Sequence, residues 1–264
     1  MKTEARILLE RRRLKRRLSV WRITAVIALL LALGALVLKG DEDLGTPGGT
    51  HIARMSLSGF ITDDRKQQDL LAKIAKAKRV KALILRINSG GGTTTGSEAL
   101  FEAIRKVAKE KPVVAVLGTV AASGAYVAAI STDYIVARGN TITGSIGVIV
   151  QWPEIAGVLE KIGVKYREVK SSPLKASPSP FLVPDPKSME ITRAMVRDSY
   201  EWFRDLVAER RGLDADRAAR LADGRIYTGR QALKEGLVDA IGGEDKAREW
   251  LTKERKIDAE LKVK

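Results

Sequence analysis

Residues 113–130 read VVAVLGTVAASGAYVAAI. The opening VVAVL is wholly apolar, which suits a strand buried on both faces. The chain then passes through small residues into Gly124–Ile130, which reads as a helix beginning at Ser123. A buried strand running directly into a helix is the repeating unit of a parallel α/β sheet. A serine at that junction holds its hydroxyl at the positive end of a helix dipole, and the following N–H groups are free to bind an oxyanion. The commoner use of such a serine is a plain N-cap, and this stretch alone does not choose between the two.

Working outward, the alternation continues on both sides. Upstream, Ile52–Leu57 reads as a strand, Arg65–Lys78 as a helix, Val80–Ile87 as a strand, Ser97–Lys109 as a helix and Pro112–Leu117 as a strand. Downstream, Asp133–Ala137 reads as a strand, Pro153–Ile162 as a helix and Lys165–Val169 as a strand. A long amphipathic helix is expected over Lys187–Arg211, with Ile191, Met195, Trp202 and Leu206 on one stripe. Two or three short elements and a charged tail after Leu251 complete the chain. The pattern predicts an α/β fold with a mostly parallel sheet covered by helices on both sides.

Three other segments could carry chemistry. Leu85–Glu98, LRINSGGGTTTGSE, takes a buried strand into three adjacent glycines and then a helix. Consecutive glycines at a strand end let the backbone turn and point N–H groups into open space, as an oxyanion-binding loop requires. The spacing fits neither a P-loop nor G-x-G-x-x-G. Thr141–Val148, TITGSIGV, is a Gly/Ser turn before an apolar run, and Ser145 is either a supporting hydroxyl or a turn residue. Ser171–Pro186, SSPLKASPSPFLVPDP, holds five of the eight prolines and so is not regular structure. It carries Lys175, with Lys170 just before it. Rigid apolar surroundings favour a neutral lysine, because burial disfavours the ammonium, and a neutral lysine can act as base to a serine.

Composition narrows the choices. With no cysteine, thiol nucleophiles, Cys-based metal sites and disulfides are excluded. The single histidine, His51, follows a Gly/Pro linker, which leaves a Ser–His–Asp triad one poorly placed candidate and excludes a multi-histidine metal site. No metal and no cofactor is expected. The net charge of +15 is concentrated at the start, where residues 1–22 hold nine basic and two acidic side chains. With only 5% aromatic residues and no basic–aromatic interleaving, nucleic acid is not an expected partner.

Four regions are expected: a basic cytoplasmic segment (1–22), a transmembrane anchor (23–38), a linker (39–50) and the catalytic domain (51–264). Ile23–Leu38 is uncharged throughout, and Val20 and Trp21 extend it if Arg22 snorkels. No A-x-A site follows, which favours an uncleaved anchor over a signal peptide. The positive-inside rule then puts the N-terminus in the cytoplasm and everything after Lys39 on the external, periplasmic side of the plasma (inner) membrane.

Taken together these segments resemble the signal peptide peptidase A family of serine peptidases, over roughly Ile52 to Trp250. Asn88-Ser89-Gly90-Gly91-Gly92 is similar to its N-S-P-G-G loop, with Gly90 in place of proline. Ala121-Ala122-Ser123-Gly124 resembles the nucleophile segment, and Thr143–Val148 its T-G-S-I-G-V. Val169–Lys175 resembles the stretch that ends in the base, although the loop beyond it, Ala176-Ser177-Pro178, is shorter than usual. Asp223–Gly229 with Gly236–Asp239 resembles the C-terminal signature.

The resemblance implies a crotonase/Clp-protease-like fold assembled into a homo-oligomeric ring, in which the serine and lysine of one site come from neighbouring subunits. It implies a Ser–Lys dyad with Ser123 as nucleophile and Lys175 as general base, Lys170 being the alternative. Ser145 would orient the lysine, and the N–H groups of Gly92 and Gly124 would form the oxyanion hole. The implied substrates are remnant signal peptides and other apolar unfolded segments. The competing expectations are a crotonase-like acyl-CoA enzyme, which needs no nucleophile, and a non-catalytic membrane scaffold.

Overall fold

The computed structural model describes residues 21–30 and 49–264. The chain divides into Met1–Gly49 and Thr50–Lys264. In the first unit, residues 21–30 are helical and exposed. No helix among the described residues is long and apolar enough to cross a membrane. Half of the expected anchor at 23–38, residues 31–38, lies outside them.

The second unit runs β1 (His51–Ile61), α1 (Arg65–Lys76), β2 (Val80–Gly92), α2 (Thr94–Glu110), β3 (Val113–Ala122), α3 (Gly124–Ile130), β4 (Tyr134–Ala137) and β5 (Ile142–Gly144). It continues through α4 (Ala156–Lys161), α5 (Pro186–Arg211), α6 (Ala215–Leu221), β6 (Ile226–Thr228), α7 (Gly229–Lys234), β7 (Ala240–Ile241) and α8 (Glu244–Lys253). The sheet order is β1-β2-β3-β4-β7, parallel at every step. This is the α/β fold with a mostly parallel sheet that the apolar runs predict.

Period-2 alternation splits the sheet between two cores. From β2, Leu83, Leu85 and Ile87 point to one face, where Leu71 and Ile74 of α1, Leu100, Ile104 and Val107 of α2, all of α3, and Phe203 and Val207 of α5 close over them. Ala82 and Ile84 point the other way, towards Val114, Val136 and the buried Ala247 and Leu251 of α8. Each such aliphatic side chain stabilises the fold by about 1.5–3 kcal/mol when fully buried. The tail returns to the sheet, since the Arg54 N–H donates to the Lys264 carbonyl at 2.7 Å and Val263 bridges Ile52.

Several helices start where a side chain caps them. Asp64 accepts from the Lys66 N–H at 2.8 Å to begin α1, Thr93 accepts from Gly96 to begin α2, and Asp185 from Lys187 and Ser188 to begin α5. At its far end α5 stops at Gly212 in the left-handed conformation. Arg211, on its last turn, binds both carboxylate oxygens of Asp239 just before β7, which ties α5 to the sheet.

Four expectations are corrected. Lys165–Val169 forms no strand, because no neighbouring strand lies beside it, and Val169 is fully exposed. The helix expected at Pro153–Ile162 shrinks to Ala156–Lys161 and buries nothing. The C-terminal region holds five elements after α5 rather than two or three. On α5, only the second half of the stripe packs: Trp202 and Leu206 lie against the core, while Ile191 and Met195 stay exposed. From residue 149 to 187 a single residue, Ser179, is buried.

Candidate active site

The site lies where β3 divides its partners. Val114–Leu117 of β3 pairs with β4, whereas Val120–Ala122 pairs with β5. The next residue is Ser123, at φ 53° and ψ −125°, the junction between β3 and α3. A non-glycine residue there is strained by about 1–3 kcal/mol and persists only where its surroundings enforce it. They do so here. The Ser123 N–H donates to the Gly144 carbonyl at 2.8 Å, and the Ser123 carbonyl accepts from Tyr126 and Val127. The side chain makes no cap hydrogen bond, so the hydroxyl is not spent on its own helix. Such a strand-to-helix elbow presents a serine oxygen to a substrate.

The glycine loop closes against this elbow. A Cβ on Gly91 (φ 107°) would stand 2.8 Å from the Gly124 nitrogen and 3.0 Å from the Ser123 Cβ. A Cβ on Gly124 would meet the Ser97 Oγ at 2.1 Å and the Gly92 nitrogen at 3.3 Å. The backbones bearing the two expected oxyanion donors are thus packed together, and only glycine permits it. As the first residue of α3, Gly124 has an N–H with no acceptor inside the helix. The loop is extended strand rather than a loose turn, since Phe60 pairs with Gly91 and Ile61 with Gly92.

Ser145 follows β5 and also has positive φ, 51°. Its N–H donates to the Arg225 carbonyl at 2.8 Å. Arg225 is in turn clasped by Asp223, whose carboxyl is held below its ordinary range by the Arg225 guanidinium. The Tyr227 ring packs where a Gly144 side chain would be, 2.6 Å from a Cβ built there. Asp223, Arg225 and Tyr227 therefore support the Ser145 turn, a role their sequence motif does not reveal. Two other supports leave no signal in the sequence. Thr143 donates through its hydroxyl to the Ala121 carbonyl at 2.6 Å, and Asn88 accepts from the Val120 N–H at 3.1 Å.

The two lysines of the proline-rich segment part company. Lys170 is half-buried, ion-paired to Glu168 at 2.6 Å and bonded to the Ser177 hydroxyl at 3.2 Å, so it staples its own loop. Lys175 is exposed, and its ammonium has no partner among the described residues. The surrounding prolines do not bury it within one chain. Single-chain geometry thus joins Ser123, Ser145, Gly92 and Gly124, and leaves Lys175 outside their contacts. His51 is far from this chemistry in function: it opens β1, with its N–H on the Arg79 carbonyl.

A strained serine at a strand-to-helix elbow, facing glycine backbone donors, defines a hydrolase-type site. The sequence profile of peptidase family S49 matches residues 105–258. A protein of Synechocystis, provisionally named a protease, is 38% identical over 200 residues, 75% of this chain and 72% of that one. Protease 4 of Haemophilus influenzae is 33% identical over 232 residues, 88% of this chain and 35% of its own length. The chloroplastic serine protease SPPA of Arabidopsis thaliana is 34% identical over 233 residues, 84% of this chain and 31% of its own. In fold, a point mutant of ClpP1 from Listeria monocytogenes matches at 15% identity with a TM-score of 0.48, over 72% of this chain and 91% of that one. The chain belongs to peptidase family S49 and is a serine peptidase.

Proposed function

We propose that this peptidase is a membrane-anchored endopeptidase working through a Ser–Lys dyad shared between subunits. Ser123 is the nucleophile, Lys175 of a neighbouring copy is the base, and Ser145 orients that lysine. Its substrates are remnant signal peptides and other apolar unfolded segments, met on the external side of the plasma membrane. A relative in Enterococcus faecium, 36% identical over 220 residues, carries the name signal peptide peptidase, which supports the substrate class.

In this reading the Ser123 Oγ attacks the scissile carbonyl carbon as its proton passes to the neutral Lys175 Nζ. The Gly92 and Gly124 N–H groups receive the oxyanion. Collapse of the intermediate breaks the C–N bond, and the leaving amine takes the proton from Nζ. Water then attacks the acyl-enzyme, giving one proton to Lys175, and the Ser123 oxygen departs with it.

The observation that carries the reading is the split between the lysines. Lys170 is committed inside its own chain, whereas Lys175 is free on a segment that finds almost no core. Exposed Ile149, Val158, Ile162, Val164, Val169 and Val183 make that segment an apolar surface suited to a second copy, which would also dry the lysine's surroundings. The test is complementation. Ser123→Ala and Lys175→Ala proteins, each inactive, are co-expressed and assayed as mixed assemblies. Recovery of peptidase activity supports a shared site; inactivity in mixtures shown to contain both chains overturns it.

A further inference from the structure

A second cleft, of about 580 Å³, opens on the face of the sheet opposite α3. The strand register explains its shape. Arg86, Val116 and Val136 are neighbours across β2, β3 and β4, and the next residues on the same face are Asn88, Gly118 and Arg138. Gly118 leaves the floor open: a Cβ there would press against the Asn88 Oδ1 at 3.0 Å. Two arginines therefore stand on either side of a glycine floor, beyond the point where α8 stops covering the sheet.

The charges in this cleft are unbalanced. Neither the Arg86 nor the Arg138 guanidinium has a hydrogen bond or ion pair among the described residues. The carboxylate at the rim, Glu244, is already bound to Arg54 at 2.7 Å. Asn88 spends its oxygen on the Val120 N–H, so its amide nitrogen is the group left to donate. Thr119, exposed on the rim, adds a hydroxyl. Two forked cations with two neutral donors suit a tetrahedral phosphate, which accepts from several directions at once. The volume is that of a nucleotide-sized ligand.

We propose that this cleft is a second binding site, for a small molecule carrying a phosphate group held between Arg86 and Arg138. It is built on the roots of the catalytic segments. Asn88 leads into the glycine loop, Gly118 lies five residues before Ser123, and Thr141, whose hydroxyl donates to the Gly118 carbonyl at 2.7 Å, lies four before Ser145. A ligand seated there lies against β2 and β3, which lead to the glycine loop and Ser123, and against Thr141, the residue before β5. The site does not depend on the dyad reading.

Binding of inorganic pyrophosphate and of ADP to the full-length protein, followed by calorimetry and thermal shift, tests the proposal. Saturable binding that weakens with added salt is expected, and Arg86→Gln or Arg138→Gln should weaken it about tenfold or more. Both side chains are exposed, so the unliganded melting temperature should stay within about two degrees of the parent. Arg86→Lys and Arg138→Lys keep the charge without the fork and should fall between. Ser123→Ala should bind as the parent does. Tighter binding of ADP points to an organic phosphate, and binding of pyrophosphate alone to the inorganic ion. Absence of binding by both probes, or binding indifferent to both arginine substitutions, overturns the proposal.

Discussion

Ser123 and Ser145 stand one step beyond the Ala122–Gly144 pair, at the ends of adjacent parallel strands, and both hold left-handed φ values, 53° and 51°. The Ser123 N–H bonded to the Gly144 carbonyl locks the two turns together. Ser123→Ala should lower peptidase activity by three orders of magnitude or more, roughly the loss typical of a removed nucleophile. A fluorophosphonate adduct should map to residue 123 alone. Ser145→Ala should keep the adduct and lose about tenfold or more in turnover.

Lys170 and Lys175 should separate in the same assay. As a homogeneous protein, Lys175→Ala should lose turnover while keeping its melting temperature, since its ammonium has no partner among the described residues. Lys170→Ala breaks the Glu168 pair and should leave substantial activity. Equal losses from the two substitutions would remove the distinction.

The glycine loop gives a sharper contrast. A Cβ at Gly92 would lie 1.9 Å from the Ile61 carbonyl oxygen, a backbone atom that cannot step aside, whereas nothing lies within 4 Å of one at Gly90. Gly92→Ala should destabilise the domain by about 4 kcal/mol or more. Gly90→Ala should melt like the parent. Thermal unfolding of the two variants checks both statements.

Tyr126 is wholly buried and donates to the Leu237 carbonyl at 2.7 Å, and burial pushes its phenol far above the ordinary range. Tyr126→Phe leaves that carbonyl unpaired and should cost about 1–3 kcal/mol in denaturant unfolding.

Glu249 on α8 is hydrogen-bonded by Lys253 and Lys246, which hold its carboxyl down at about 2. A carboxyl depressed on folding stabilises the native state above its ordinary value, 4.5, and that contribution fades as pH falls from there towards 2. Glu249→Gln should flatten this part of the stability profile, and a carboxyl NMR titration reads the value directly.

How much of this is legible in the sequence depends on what each residue's neighbours are. Gly124–Ile130 reads correctly to the residue, because a buried strand and a helix made of small apolar residues leave little freedom. The glycine run after Ile87 reads as a turn but continues as strand, since its partner Phe60–Ile61 is thirty residues away and local pattern cannot see it. Lys165–Val169 reads as a strand, yet one chain offers it nothing to pair with. The candidate nucleophile and glycine donors come from local signals. The support from Arg225 and Tyr227 does not, because it runs through a backbone carbonyl and a ring edge, which leave no pattern in sequence.

The backbone at residue 123 has a last consequence. Glycine would occupy that left-handed elbow more comfortably than any other residue, so Ser123→Gly should melt higher than Ser123→Ala while being equally inert. At this one position robustness and chemistry pull in opposite directions. Selecting variants for heat resistance alone would drift towards a silent enzyme.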